Sequence, residues 1–164
     1  MPVHNHFYTA QPPGGQPQPF PQGLQLAGPC LPVQVEVPPA LAAQLQQTGQ
    51  AVPAPLAGFA LIDTGASLSA VDGTVIQQLG VQPIGMVLVG TAGGPQQQAT
   101  YPARFTFPGT TLPAIDFSSL LGANLAGQMV AIHQGPLIAL LGRDLLQRFV
   151  LVYNGPGATF SLSF

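Results

Sequence analysis

Asp63 ends the apolar run Phe59-Ala60-Leu61-Ile62 and is followed at once by Thr64 and Gly65. Only 5% of the chain is charged, so a carboxylate at the end of an apolar run asks for an explanation. Burial penalises its ionised form, and neighbouring groups can then set its proton affinity. Such a carboxylate can do general acid–base work. The plainer reading is an Asx-turn, because Asp and Gly are ordinary turn residues.

The other candidate groups offer less. Asp72 reads as the N-cap of a short helix, and Asp144 as a carboxylate in the first turn of another. Asp116 reads as a surface-loop residue. His4 and His6 form an i, i+2 pair, but two ligands on a flexible arm do not make a metal site. Cys30 with His133 could be drawn as a thiol dyad, although nothing local supports it. The Gly-rich stretch TAGGP (91–95) matches neither common phosphate-binding loop. No metal and no cofactor are expected.

The elements that must position Asp63 can be read from pattern. Residues 1–30 are rich in Pro, Gln and Gly, and are read as a flexible arm. Residues 31–164 are read as the folded domain. LPVQVEV (31–37) alternates as a half-buried strand does. ALAAQLQQTG (40–49) reads as a helix stopped at Gly49. GFALID is a strand, LSAV follows the Asp-Thr-Gly turn, and GTVIQQLG (73–80) is a short helix. Residues 86–107 read as a long hairpin with a mobile tip at Thr91–Pro95. Residues 110–130 stay ambiguous. PLIALLG (136–142) is a buried strand, RDLLQRF (143–149) a short helix, and VLVY–NGPG–ATFSLSF a C-terminal hairpin. Mostly short strands with two or three short helices point to a small, closed β structure.

Three features therefore occur in order: DTGAS after an apolar run, a Gly-rich hairpin, and LLGRDLL at residues 140–146. Together they resemble the retropepsin-like aspartic protease family, in the DTGAS form seen among cellular and bacterial relatives. The resemblance covers roughly residues 31–164. It implies a small closed β-barrel with a flap hairpin, and a homodimeric endopeptidase with protein or peptide substrates. Asp63 of each subunit would form the catalytic dyad, since the chain carries a single Asp-Thr-Gly. Thr64, Gly65, Ala66 and Ser67 would support it, Gly142 would let a second strand cross near the turn, and Arg143 would be a structural arginine. Retroviral enzymes carry an acidic residue where this chain has Ser67, which leaves the partner of Arg143 open. Thr91, Ala92, Gly93 and Gly94 would form the flap tip over bound peptide, and the C-terminal strand would pair with its mate across the dimer. The rival reading is a dimerisation or peptide-binding module of the same fold without proteolysis.

Composition removes other classes. The chain has no Lys, and its basic groups are Arg104, Arg143 and Arg148, for a net charge of −2. That cannot neutralise a nucleic-acid backbone or hold a polybasic membrane contact. No apolar run reaches membrane-span length, and the N-terminus lacks the features of a signal peptide. A single cysteine forms no intrachain disulfide. A cytoplasmic location is expected.

Overall fold

The computed structural model of the protein describes residues 2–91 and 94–164. Short strands dominate it. The first thirty residues hold β1 (Val3–Phe7), the small pair β2 (Thr9–Ala10) and β3 (Gln18–Pro19), and helix α1 (Pro21–Ala27). Then come β4 (Cys30–Glu36), α2 (Pro39–Gln47), β5 (Leu56–Ile62), β6 (Ala70–Asp72) and α3 (Gly73–Gln78). The hairpin strands β7 (Gly85–Thr91) and β8 (Gly94–Thr106) lead to β9 (Ile115–Ala123) and β10 (Met129–Val130). A 3₁₀ turn at Ala131–His133 precedes β11 (Gly135–Leu141), α4 (Arg143–Leu146), β12 (Val150–Asn154) and β13 (Thr159–Ser163).

The main sheet runs β10-β11-β5-β4-β8-β9-β6, and β6 also pairs with β11. Leu31, Val33 and Val35 alternate inward along β4, as period-2 burial demands, and meet Ala60, Ile62, Val71, Phe105, Leu120, Ala139 and Leu141 in one core. Each large side chain so buried contributes roughly 1.5–3 kcal/mol. The hairpin expected at 86–107 is present as β7 and β8, in register from Gly85 opposite Thr100 to Thr91 opposite Gly94. Two of the four residues assigned to its tip, Ala92 and Gly93, lie outside the described residues. Among the described residues, no helix is long and apolar enough to cross a membrane.

Three expectations need correction. Residues 1–30 do not stand off as a flexible arm: β1 pairs along its whole length with β13, and Tyr8 and Leu24 are buried in the core. Pro and Gln content predicts weak local structure, but pairing with a distant strand supplies what local propensity lacks. The C-terminal strand β13 is central in a second, three-stranded sheet, β1-β13-β12. Both its edges are taken within the chain, so neither is free for a mate. Asp116 lies in strand β9 rather than in a loop, where Arg104 grips both its carboxylate oxygens at 2.7 and 2.8 Å.

Candidate active site

The Asp63 turn is set by how three strands meet. β5 and β11 run parallel, with Leu61 beside Leu140 and Ile62 beside Leu141. On its other side β11 pairs antiparallel with β6, Leu140 against Ala70. The chain must therefore travel from the end of β5, across the end of β11, to the start of β6. Residues 63–69 make that crossing, and Asp63 opens it with its N–H donating to Leu141 O at 3.0 Å.

Asp63 shapes its own turn. Its Oδ1 accepts from the amides of Gly65 at 2.9 Å and Ala66 at 3.2 Å. A Cβ on residue 65 would sit 3.1 Å from that oxygen, a tight approach that glycine avoids. The Asx-turn is thus real. It does not consume the carboxylate, because no described hydrogen bond occupies Oδ2.

Gly142 is forced more strictly. A Cβ there would lie 2.5 Å from the carbonyl carbon of Leu68 and 2.6 Å from its oxygen. The crossing loop rests directly on this residue, and only a glycine admits it. Arg143 then reaches up into the loop. One terminal nitrogen donates to Thr64 O at 2.8 Å and Gly65 O at 3.1 Å, and the other donates to Ser67 Oγ at 2.8 Å. The open partner of Arg143 is therefore a pair of carbonyls plus the Ser67 hydroxyl. A planar fork with several fixed donors suits that set, where a single ammonium would not. The Arg143 and Asp144 amides add bonds to Ala66 O and Ser67 O, at 3.0 and 3.1 Å.

Two residues outside the expected set complete the support. Ser69 is fully buried, and its hydroxyl accepts from the Gly142 amide at 3.0 Å and donates to Asp144 Oδ1 at 2.7 Å. The same carboxylate oxygen takes the amides of Ser69 and Leu145, each at 2.9 Å. Asp144 was expected only as a first-turn carboxylate; it also staples α4 to the loop. A serine between Leu68 and Ala70 in an otherwise apolar stretch was the available signal. Its partner 75 residues away was not visible. Asp72 caps α3 as expected, accepting from the Thr74 amide at 2.8 Å, and it also takes the Leu125 amide at 2.7 Å. Burial raises its proton affinity, but hydrogen bonds from Thr74, Leu125 and Val75 outweigh this and hold its carboxyl below the usual value.

The hairpin lies opposite the turn. Between them is a cleft of about 340 Å³, bounded by Gly65, Ala66, Ser67 and Leu68 on one side and by Leu88, Val89 and Gly90 on the other, with Leu121 at its wall. Leu88 is left 71% exposed. The histidines and the thiol do not join this site. Cys30 is buried, its thiol donates to Ala27 O at 3.1 Å, and burial pushes its pKa up to about 12.

Several solved chains bear a likeness. One of them is the simian foamy virus (mac) protease in solution, 18% identical, with the match covering 71% of this chain and 91% of that one, at a TM-score of 0.39. No protein-family model matches the chain, and no curated protein does. The case for function therefore lies in the geometry of the turn and the cleft.

Proposed function

We propose that the chain is one subunit of a homodimeric aspartic endopeptidase of the retropepsin-like kind, with Asp63 as its catalytic residue. The observation that carries this reading is the braced Asp63 turn, whose residues Gly65 to Leu68 face the hairpin across a cleft. Arg143, Gly142 and the Ser69–Asp144 link hold the turn at several independent points. Such bracing is what a site needs when a carboxylate must stay in place through a reaction. The strand pairing from β11 through β5, β4, β8, β9 and β6 back to β11 fits a closed barrel around the core beneath it.

One carboxylate cannot both take and give a proton in a single step, and the chain holds one Asp-Thr-Gly. A second Asp63 from another subunit supplies the missing group under twofold symmetry. Two facing carboxylates share one proton at intermediate pH, because both cannot ionise at close range. The ionised one takes a proton from a water held between them, and the neutral one donates to the scissile carbonyl. The water adds to the carbonyl carbon, giving a tetrahedral intermediate with no covalent enzyme link. Collapse of that intermediate expels the amine, which receives a proton from the dyad.

The cleft walls Leu68, Leu88, Val89 and Leu121 suit apolar side chains flanking the cleaved bond. An exposed Leu88 gains by being covered. The hairpin tip, Thr91 to Gly94, would close over the peptide as a flap and shelter the chemistry from bulk water.

The test is cleavage of a diverse peptide mixture between pH 3 and 8, read by mass spectrometry, with wild type beside Asp63→Asn. Cleavage at apolar sites that disappears in the variant is the expected result. A folded protein that cleaves nothing at any pH, or a variant as active as wild type, overturns the reading.

A further inference from the structure

The chain has three histidines, and all three meet at one joint. His4 and His6 lie on β1, on the face that turns inward with Phe160 and Leu162 of β13. His6 stacks on Phe160 with ring centroids 5.1 Å apart, and its edge contacts His133 at 5.6 Å and Tyr8 at 4.9 Å. His4 is 6.3 Å from His6. His133, in the 3₁₀ turn before β11, stacks on Phe59 at 4.7 Å. Nε2 of His4 and Nε2 of His133 are buried with no hydrogen-bond partner.

Among the described residues, no counter-charge acts on this joint. β13 offers Thr, Phe, Ser and Leu; β4 brings the Cys30 thiol; β5 brings Phe59; β12 brings Tyr153 opposite Phe160. Tyr8, the remaining titratable neighbour, accepts from the Cys30 amide and donates to Gly28 O at 2.7 Å. Among the described residues, no histidine makes an ion pair, and no three ligand-type side chains converge as a metal site. Neutral rings can share this space with aromatic neighbours. Protonated rings would repel one another and present N–H donors with nothing to accept them.

We propose that β1 is a histidine-held latch, which peels from β13 on acidification. Tyr8 is the fixed end: its amide donates to Ala158 O at 2.8 Å, and its side chain is buried. Residues 2–7 can therefore open while Tyr8 and Leu24 stay in the core. β1 is also lightly held from outside, with Val3 and Phe7 largely exposed.

The direction in pH follows from the rings. Burial lowers the pKa of His4 and His133, and burial with the charges of His133 and His4 brings His6 down to about 4. A histidine whose pKa is lower when docked binds protons better when free. The docked state is therefore at full strength above the free value of 6.5, and loses ground as pH falls from there toward 4.

The test is hydrogen exchange by mass spectrometry on the full chain at pH 7.5 and 4.5, corrected for the intrinsic rate. The expected result is that protection of residues 3–7 and 159–163 falls about tenfold or more at pH 4.5, while β4 and β5 keep theirs. The double variant His4→Phe/His6→Phe, which keeps aromatic packing without a titrating group on β1, should lose most of that fall. Unchanged protection of β1, or loss in step with β4 and β5, overturns the latch. Should the variant fail to fold, NMR titration of the wild-type rings decides: a His6 pKa near 6.5 overturns it, and one far below supports it.

Discussion

At Gly142 one missing atom decides the local structure. The space a side chain would need is filled by Leu68 backbone, and backbone yields less readily than a side-chain end. Gly142→Ala should therefore cost about 2–3 kcal/mol of stability and displace the Asp63 turn with it. Ser69→Ala removes a hydroxyl that serves two buried partners at once, the Gly142 amide and Asp144. The orphaned amide should cost about 1–3 kcal/mol. Because the two changes share a bond, their effects should fall short of additive when combined. Urea unfolding of the two single variants and the double variant measures all three quantities.

Among the elements, α3 shows how one carboxylate ties a helix to a neighbouring segment. Asp72 holds the first turn of α3 and the Leu125 amide together. An amide side chain can accept on only one of its two ends, so Asp72→Asn should lose about 1–3 kcal/mol at neutral pH. The folded protein holds this carboxyl below its usual 3.8. The wild-type advantage is thus present above that value and lost as pH falls through the lower folded one. Unfolding curves at pH 7 and pH 3 should show the gap between the two proteins closing. The same scale shows what could be read in advance. β4, β5, α2, α3 and the hairpin announce themselves by period and by turn residues. β9, with IDFSSLLGA, does not, because Ser, Gly and Asp blur its alternation. α1 is hidden by a glycine within PQGLQLA and by the Pro- and Gln-rich sequence before it. The Asp63 turn, Gly142 and Arg143 were legible as motif letters. The Ser69–Asp144 link was not, since it joins side chains whose proximity only the fold creates.

For the whole molecule, the proposed dyad has a stoichiometric consequence. Mixing wild type with an equal amount of Asp63→Asn, under conditions where subunits exchange, should leave about half the wild-type activity. Mixed dimers carry one carboxylate and should be inactive. Activity that is unchanged at any mixing ratio would mean that each chain works alone, and an assay across ratios reads this directly. β1 was the hardest element to foresee for a reason that also belongs to this scale: VHNHF carries little strand signal, and its partner lies at the far end of the chain. The bond between Thr159 Oγ1 and His6 O spans 153 residues. During synthesis, then, β1 leaves the ribosome well before β13 and cannot pair until that strand arrives. Until then its histidines sit in water at their ordinary affinity for protons, and the β1-β13-β12 sheet is completed late.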